Sequence, residues 1–353
     1  MKFLVTGSTG LLGSHIVERL VAQGYQVRAL ARKTSDTGHL RSTGVEIAFG
    51  DIEDRDNLPP ALDGIDIVVH AAARVMPGWG SWQQFEATIV RGTENLLWAS
   101  ANAGVSRFLH VSSCDIYGEA CCGGIVANES TPCHVTFMPS KYYEFAKLQA
   151  DRLVFDYRRP ERLHVSAIRP GFVYGPRDRL LCDRIVRQLE MPVVVWPGKA
   201  NPRMPLIYAS DVADCAITVA TSEKAVGQCY NVGPTYQIRL RDFAAAMARA
   251  LGRPEPKVFV PYALAYGWAT IIEGWSKLVR SKEMPYINRA SLGHLNTEIL
   301  MDVSKVRNEL GWEPRVSLDE GVRSYVEWRR RRRNNQLVTG GVKIQRKEAS
   351  WLE

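Results

Sequence analysis

The sequence predicts an α/β fold: a Rossmann-type, doubly wound parallel sheet with a smaller C-terminal domain. Short apolar runs alternate with helical patterns through the first half of the chain. One run, residues 66–70, is nearly all β-branched, as in strands that are buried on both faces of a sheet. A glycine-rich turn joins the first run to the first helical pattern. Strands separated by helices form parallel sheets, because each helix carries the chain back to the edge where the next strand starts.

The elements follow one another in a regular order until about residue 175, after which prolines and irregular stretches interrupt the alternation. The predicted strands are residues 2–5, 26–31, 45–49, 66–70, 107–112 and 163–168. Helical patterns cover residues 14–21, 54–62, 82–103 and 141–157. We therefore expect a dinucleotide-binding domain over residues 1–175, joined again by 206–235, a substrate domain over 176–328, and a flexible basic tail over 329–353.

The turn after the first strand carries Gly7, Gly10 and Gly13. Glycines let a backbone approach phosphate groups closely, and the N-terminus of the following helix offers free N–H groups and a partial positive charge. A glycine turn alone would only redirect the chain. The strand before it and the helix after it favour the binding of a dinucleotide pyrophosphate.

The composition is that of an ordinary globular enzyme, with 46% hydrophobic and 23% charged residues in a chain of 353. The first apolar run is too short for a signal peptide, and Pro261 and Gly267 interrupt the longest uncharged apolar stretch, residues 258–272. The seven cysteines form no C-x-x-C pair, and the seven histidines show no ligand spacing. We expect a cytoplasmic protein with reduced thiols and no metal site.

The positive charge is concentrated at the C-terminal end. Residues 329–353 contain eight basic and two acidic residues, a net of +6 out of a total of +8, which leaves +2 for the first 328 residues. A nearly neutral body gives no general affinity for nucleic acid, so we expect no nucleic-acid partner.

Three side chains have the chemistry for proton transfer to an oxygen. Tyr143 and Lys147 are four residues apart on one face of a predicted helix, and a neighbouring ammonium favours a phenolate. Ser113 follows the fifth strand, where its hydroxyl can bind the reacting oxygen of an alcohol or ketone. A tyrosine and a lysine at this spacing also occur as a plain contact on a helix surface, but the serine and the glycine turn favour a catalytic role.

With these residues the chain resembles the extended short-chain dehydrogenase/reductase superfamily, which includes the NAD-dependent epimerases and dehydratases. The resemblance covers residues 1 to about 328, and the motifs occur in the order typical of the superfamily. The matching segments are residues 6–13, 50–52, 70–73, 113–118, 143–147, 169–176, 207–213 and 230–233.

The resemblance implies that Tyr143 is the general acid/base, that Lys147 lowers its pKa and binds the nicotinamide ribose, and that Ser113 orients the substrate oxygen. Tyr142 is one position off that helical face, and we assign it to the substrate rim or to packing. By strand alternation we expect Ser112 to point into the sheet. The expected cofactor-binding residues are Gly7, Thr9, Gly10, Leu11, Leu12, Gly13, Arg32, Lys33, Asp51, Ile52, Ala71, Ala72, Ala73, Tyr143, Lys147, Pro170 and Val173.

Two segments depart from the superfamily pattern. Ile89 stands where the superfamily usually has an asparagine that supports the fold near the active site, so we expect a local rearrangement there. The stretch between Ser113 and Tyr143 is long and contains Cys121-Cys122-Gly123-Gly124. We interpret it as an active-site loop in which the cysteines are structural or incidental.

The end of the second strand predicts the cofactor. A carboxylate there binds the ribose 2′-hydroxyl of NAD, whereas this chain has Arg32 and Lys33, with no carboxylate before Asp36. Two cations suit the 2′-phosphate of NADP. We prefer NADP, with NAD possible if Arg32 only stacks on the adenine.

The substrate side is apolar. Nucleotide-sugar members of the superfamily usually have an arginine seven residues before Asp211, but here Met204 holds that place and Arg203 is one position off. The region after residue 190 is rich in apolar and aromatic residues. The layout of residues 261–314 is similar to 3β-hydroxysteroid dehydrogenase-like and dihydroflavonol reductase-like members. We expect an NAD(P)-dependent oxidoreductase that acts on an apolar small molecule.

The alternatives are a nucleotide-sugar epimerase or dehydratase that keeps its cofactor bound, and a regulator that only senses NADP; the intact set of Ser113, Tyr143 and Lys147 argues against the regulator.

We also expect a homodimer. The five arginines from Arg329 to Arg333 are more cations than the stabilisation of a helix C-terminus requires. We therefore hypothesise a weak membrane contact through this tail, helped by residues 262–275.

Overall fold

The computed structural model describes residues 1–348 except 76–79, 122–123, 158–162, 192–194, 198–200, 257, 280–284, 286–287 and 295–296. Its strands are β1 (Lys2–Thr6), β2 (Gln26–Ala31), β3 (Glu46–Phe49), β4 (Ile67–His70), β5 (Arg107–Val111), β6 (Val126–Ala127), β7 (His164–Pro170), β8 (Phe172–Tyr174), β9 (Val195–Pro197), β10 (Arg203–Met204), β11 (Leu206–Tyr208), β12 (Cys229–Val232), β13 (Ile238–Arg239), β14 (Val258–Val260) and β15 (Leu300–Met301).

Helices alternate with these strands. They are α1 (Leu11–Ala22), α2 (Gly38–Ser42), α3 (Pro59–Leu62), α4 (Trp82–Phe85), α5 (Gly92–Asn102), α6 (Tyr142–Asp156), α7 (Leu181–Leu189), α8 (Ala209–Thr221), α9 (Leu240–Leu251), α10 (Tyr262–Leu278), α11 (Arg289–His294), α12 (Ser304–Leu310) and α13 (Leu318–Glu348). The helix predicted over residues 54–62 is divided into a 3-10 turn, Arg55–Asn57, and the short α3. Pro59 and Pro60 explain the division, because proline lacks the N–H group that a continuous helix needs.

Seven strands form one sheet in the order β12-β7-β5-β4-β1-β2-β3. Every neighbouring pair is parallel. The strand order reverses beside β1, and ligands of such sheets bind at the carboxyl ends of the strands at this switch point. The predicted doubly wound α/β fold is therefore confirmed. The edge strand β12 belongs to residues 206–235.

Apolar side chains cover both faces of the sheet. Phe3 and Val5 of β1 face the side of α1 and α8, while Leu4 faces the side of α3 and α5. The alternation of these three residues shows why the central strands are apolar at every position. Arg19 and Asp214 join α1 to α8 through two hydrogen bonds of 2.6 Å, which orient the pair more than they stabilise it at this partly exposed position.

A second core lies in the C-terminal half of the chain. Tyr174 of β8, Phe243 of α9 and Tyr325 of α13 are fully buried within it. Their rings are close, with Tyr174 and Phe243 centroids 4.9 Å apart in an edge-to-face contact. Because β8 follows β7 directly, this core is built against the carboxyl ends of the large sheet.

The long helix predicted over residues 82–103 contains a π-helical segment, Glu86–Arg91, between α4 and α5. Ile89 lies in this segment and packs, fully buried, with Phe85 of α4 and Ala146 of α6. The hydroxyl of Thr93 donates a hydrogen bond of 2.5 Å to the carbonyl of Ile89. The backbone thus rearranges at the position where the superfamily usually has asparagine, and the wider turn seats an apolar side chain under α6.

The chain after Trp328 continues α13 to Glu348, where the sequence analysis expects a flexible tail. Arginine is a good helix former, and the preceding residues Tyr325 and Val326 anchor the helix in the second core. Arg329 belongs to the folded body as well. Its guanidinium donates to both carboxylate oxygens of Glu190, at 2.7 and 2.9 Å.

Two histidines are buried in the centre of the sheet. His70 forms hydrogen bonds through both ring nitrogens, to Thr6 Oγ1 at 2.8 Å and to Thr93 Oγ1 at 2.9 Å. The neighbouring His110 has no hydrogen-bond partner for either ring nitrogen among the described residues. Burial lowers the pKa of His70 to about 3 and the pKa of His110 well below its ordinary value. Both rings are therefore neutral in the folded protein at any mildly acidic pH.

We expect the free energy of unfolding to fall as the pH drops below about 6.5. His70 and His110 then become protonated in the unfolded chain, whereas they stay neutral in the folded protein. His110→Phe keeps an aromatic ring without nitrogens and should reduce this loss by about 2 kcal/mol between pH 7 and pH 5. Urea unfolding at the two pH values measures it. His134→Phe, at an exposed histidine, is the matched control. Equal losses in the His110→Phe variant and the unaltered protein would contradict the prediction.

Candidate active site

One cavity of about 1420 Å³ lies at the carboxyl ends of the large sheet. Its walls are the turns that follow β1, β2, β3, β4, β5 and β7, together with parts of the C-terminal half. Of the residues predicted for catalysis and cofactor binding, Lys33 alone does not line it. The predicted residues that meet there are Gly7, Thr9, Gly10, Leu11, Leu12, Gly13, Arg32, Asp51, Ile52, Ala71, Ala72, Ala73, Ser113, Tyr143, Lys147, Pro170 and Val173.

The glycine turn is too tight for side chains. Gly7 has φ of +66°, and a Cβ atom there would lie 2.6 Å from the carbonyl oxygen of Ala71. A Cβ atom on Gly13 would lie 2.2 Å from the carbonyl oxygen of Gly7. The first turn of α1 contains no acidic residue, and no side chain caps its N-terminus. This cradle of free N–H groups fits the pyrophosphate of a dinucleotide.

Arg32 lines the end of the cavity beyond β2, and its side chain is exposed there. Lys33 is also exposed but lies outside the cavity lining. Asp36 lines the cavity too, and its Oδ1 accepts the N–H group of Gly38 at 2.9 Å. Of the two cations that follow β2, Arg32 thus lines the cavity and Lys33 does not.

Asp51 and Ile52 lie on the loop after β3. Ile52 is buried in the core below, and its carbonyl accepts the side-chain amide of Asn95 at 3.0 Å. Asp51 Oδ1 accepts the N–H group of Glu53 at 3.1 Å. These two hydrogen bonds hold the loop in place, and Asp51 lines the cavity, where its carboxylate would contact the adenine of a dinucleotide.

Lys147 is buried on α6, and its Nζ donates a hydrogen bond of 2.7 Å to the carbonyl of Val111, the last residue of β5. Burial lowers the pKa of Lys147 to about 8, while the carboxylate of Asp151 one turn later acts in the opposite direction. This ammonium is fixed at the point where β5 ends and the segment with Ser113 begins.

Tyr143 lies one turn before Lys147. Burial, and next the carboxylate of Asp115, raise the pKa of Tyr143, and a hydrogen bond with Ser113 opposes them. The lowering that the sequence analysis expects from Lys147 is thus not the net effect here. The phenol keeps its proton at neutral pH, the state needed to donate a proton to a carbonyl oxygen.

Two carboxyl groups at this site were missed from the sequence. Asp115 accepts the hydroxyl of Ser113 at 3.0 Å, and Glu144 follows Tyr143 directly; both line the cavity. Burial, with Asp115 second, raises the pKa of Glu144 to about 8. Its buried Oε2 has no hydrogen-bond partner among the described residues. In the sequence, only their positions could have indicated them: Asp115 is two residues after Ser113, and Glu144 is one residue after Tyr143.

Tyr142 and Ser112 are next in sequence to the predicted catalytic residues Tyr143 and Ser113. Tyr142 packs among Trp82, Phe85 and Phe137, and it does not line the cavity, which supports the packing role. Ser112, expected to point into the sheet, is buried, and its Oγ has no hydrogen-bond partner among the described residues. Its backbone N–H group donates to the carbonyl of Ile168 at 2.8 Å and so continues the pairing of β5 with β7.

A buried polar network supports the site from behind. Arg169 pairs with Asp151 at 2.8 Å and donates to the hydroxyl of Tyr117 at 3.1 Å. Tyr117 in turn donates to Asn231 Oδ1 of β12 at 2.7 Å. The network links α6, β7 and the edge strand β12. Tyr117, Arg169 and Asn231 therefore hold these elements in place and do not themselves line the cavity.

The opposite end of the cavity is rich in apolar side chains, although Arg179, Arg184, Gln188, Asn288 and Arg332 also line it. Met204 is buried and lines it, whereas Arg203 is exposed and forms an ion pair of 2.7 Å with Glu298, outside the lining. The place where nucleotide-sugar members usually have arginine is therefore filled by a thioether. The other apolar residues of this end are Leu180, Leu181, Ile185, Met191, Trp196, Leu240, Val260, Ala265, Trp268, Leu292 and Trp328.

The loop between Ser113 and Tyr143 holds Cys121 in a buried position, where its thiol donates to the carbonyl of Gly118 at 3.2 Å. Cys122 and Gly123 lie outside the described residues. Within the described part of the chain, no group of three or more His, Cys, Asp or Glu side chains is arranged to hold a metal ion.

A family model described as NAD dependent epimerase/dehydratase matches residues 3–233. The chain belongs to this family. A 2-alkyl-3-oxoalkanoate reductase from Shewanella oneidensis is 25% identical to it over 332 residues, 90% of this chain and 84% of the relative. A 3 beta-hydroxysteroid dehydrogenase/Delta 5-->4-isomerase from Mycobacterium tuberculosis is 28% identical over 337 residues, 91% of this chain and 88% of the relative.

A dTDP-glucose 4,6-dehydratase from Streptomyces venezuelae, solved with NAD and TYD bound, has a similar structure. Its TM-score is 0.76 at 25% identity, and the match covers 95% of this chain and 98% of that one. The family resemblance drawn from the motifs is confirmed. The protein is an oxidoreductase of the NAD-dependent epimerase/dehydratase family.

The raised pKa of Glu144 predicts a stability that falls with rising pH. The folded state favours the protonated carboxyl, so stability is full below the ordinary pKa near 4.5 and is lost as the pH rises through about 8. Glu144→Gln should therefore stabilise the protein at pH 9 relative to pH 5, by about 2 kcal/mol once the partial exposure of the side chain is allowed for.

Urea unfolding of the two proteins at pH 5 and pH 9 measures this difference. Glu94→Gln is the matched control, because it removes an exposed carboxyl from the neighbouring α5. A gain in stability that is equal at both pH values would show that the carboxyl of Glu144 does not titrate with a raised pKa.

Proposed function

We propose that this enzyme transfers a hydride between NADP(H) and the ketone or secondary alcohol of an apolar small molecule. One observation carries the proposal: one cavity joins the glycine cradle and Tyr143 to an end where apolar side chains, Met204 among them, outnumber the polar ones. The two relatives are consistent with it, since one is named a 3-oxoalkanoate reductase and the other a hydroxysteroid dehydrogenase.

The chain's own groups supply the proton. In the reduction direction, the Ser113 and Tyr143 hydroxyls donate hydrogen bonds to the substrate carbonyl oxygen, and Tyr143 transfers its proton to that oxygen. A nicotinamide held beside Lys147 would supply the hydride to the carbonyl carbon, so that the C=O bond becomes CH–OH. The Lys147 ammonium then stabilises the phenolate left on Tyr143. Oxidation of the alcohol runs the same steps in reverse.

The choice of NADP rests on the end of β2. Arg32 lines the cavity there, and the guanidinium is a good partner for a phosphate group. Asp36, the first carboxylate after β2, already accepts the N–H group of Gly38. A ribose 2′-phosphate is thus favoured over a free 2′-hydroxyl.

The competing function is a nucleotide-sugar epimerase or dehydratase, which the structural similarity to a 4,6-dehydratase keeps open. Such an enzyme returns the hydride to its substrate and consumes no cofactor. The position of Met204 favours the oxidoreductase, because a buried thioether stands where nucleotide-sugar members usually have arginine, and the adjacent Arg203 is engaged by Glu298 outside the cavity lining. Arg179 and Arg184 also line the cavity, so the substrate experiment decides between the two functions.

Incubation with apolar ketones and, separately, with nucleotide sugars tests the proposal. NADPH absorbance and the products are followed in both. We expect one NADPH oxidised per alcohol formed from an apolar ketone. Conversion of a nucleotide sugar without net use of added cofactor, and no reduction of any apolar ketone, would establish the competing function.

Tyr143→Phe removes the proton that the mechanism transfers, so kcat should fall by about 10²-fold or more. Binding of NADPH, followed by its fluorescence, should persist. Tyr142→Phe is the matched control: it makes the same change in the adjacent residue, which packs among aromatic rings, and should be mild. A larger loss for Tyr142→Phe than for Tyr143→Phe would refute the assignment.

Arg32→Asp places a carboxylate beside the 2′-phosphate. The ratio of kcat/KM for NADPH to that for NADH should shift toward NADH by roughly ten- to a hundredfold, as for the loss of a charge-assisted hydrogen bond. Lys33→Asp makes the same charge change one residue later, outside the cavity lining, and should leave the ratio nearly unchanged. An unchanged ratio in Arg32→Asp would mean that the guanidinium does not contact the nucleotide.

A further inference from the structure

One face of α10 exposes a continuous row of large apolar side chains. We call Leu264, Trp268, Ile271, Trp275 and Leu278 the apolar stripe; each is between 58% and 75% exposed. Their spacing of four, three, four and three residues puts them on one side of a helix. Isolated exposed apolar residues are common on proteins, but a contiguous row of five with two tryptophans marks an interaction surface.

The opposite face of α10 is fixed to the protein. Ala269 is fully buried, and the carboxylate of Glu273 is buried beside Arg289, with Oε2 2.9 Å from the guanidinium Nε. Glu273 is the only acidic residue of α10. With this carboxylate turned inward, the outward face carries no negative charge that would oppose contact with an anionic surface.

The apolar stripe borders the cavity. Trp268 belongs to the stripe and also lines the cavity, together with Ala265 of the same helix. Trp328 and Arg332 of α13 line the same end, with the guanidinium of Arg332 5.5 Å from the ring centre of Trp328. The stripe and the basic part of α13 therefore each contribute residues to the lining of the same cavity.

The basic part of α13 is free to contact a partner at several positions. Residues 330–333 are all arginines with exposed side chains. Arg331 has one weak ion pair, 3.8 Å from Glu327, and Arg330 donates to the carbonyl of Ala250 at 3.2 Å. We call residues 330–333 the arginine cluster; Arg329 is excluded because it is paired with Glu190.

We propose that the apolar stripe and the arginine cluster dock this enzyme on the surface of an anionic phospholipid membrane, with the cavity mouth facing the lipid. Apolar and indole side chains enter the boundary between headgroups and acyl chains, and the guanidinium groups bind lipid phosphates. Among the described residues, no helix is long and apolar enough to cross a bilayer.

A second copy of this chain fits the surface less well than a membrane does. Two copies packed stripe to stripe about a two-fold axis would bring two arginine clusters toward each other, which like charges oppose. An anionic bilayer offers apolar depth and negative charge at once. The docking does not depend on the proposed reaction, because membrane binding is measured without substrate or cofactor.

Flotation of the full chain with lipid vesicles tests the proposal. We expect the protein to float with vesicles of phosphatidylcholine and phosphatidylglycerol, and much less with phosphatidylcholine alone or in high salt. Ile271→Ser/Trp275→Ser/Leu278→Ser should lower binding by about tenfold or more. Arg330→Gln/Arg331→Gln/Arg333→Gln should remove most of the dependence on salt and on phosphatidylglycerol.

Tyr236→Ser is the matched control, because it removes an apolar ring that is 84% exposed and lies outside α10. It should bind vesicles like the unaltered protein. All variants should keep their thermal unfolding temperature and their activity toward a water-soluble ketone. As an independent readout in the unaltered protein, acyl-chain-brominated lipids should quench tryptophan fluorescence, and the serine variant should lose most of that quenching.

Three outcomes would overturn the proposal. The unaltered protein could remain unbound by anionic vesicles at low salt. The triple serine variant could bind them as well as the unaltered protein does. Alternatively, that variant could change a dimer to a monomer in sedimentation while vesicle binding is unaffected, which would make the stripe an interface between two copies of the chain.

Discussion

The hydrogen bond from Lys147 Nζ to the carbonyl of Val111 is the contact on which the site depends. A buried ammonium is costly unless it is fully compensated, and here the last carbonyl of β5 and the carboxylate of Asp151 share that task. Asp151 is held in turn by Arg169. The Lys147 ammonium thus links α6 to the central sheet and fixes the position of Tyr143, one turn earlier on the same helix, beside the cavity.

The two ends of the cavity are built from different parts of the chain and differ in chemical character. Its polar end is built from turns at the carboxyl ends of the strands, where glycines and a helix N-terminus favour phosphates. Its apolar end is built from side chains far apart in sequence, from Leu180 to Trp328. The common cofactor chemistry is therefore separate from substrate choice, and the second end can change without disturbing the first.

The position of the cavity mouth connects chemistry with environment. An apolar ketone dissolves poorly in water and concentrates in membranes. An enzyme whose cavity opened only to water would have to capture such a molecule from very dilute solution. At the mouth of this cavity stand Trp268 of α10 and Trp328 of α13, with Arg332 beside it. That composition matches the boundary of a bilayer better than bulk water.

The sequence by itself determined the parallel sheet, the glycine cradle and the places of Ser113, Tyr143 and Lys147, because each depends on periodicity or spacing within a short segment. Only the tertiary structure decided the direction in which the pKa of Tyr143 shifts, the place of Glu144 at the cavity, the pairing of Arg203 with Glu298, and the helical course of residues 329–348. These properties depend on burial and on partners distant in sequence, which no local pattern records.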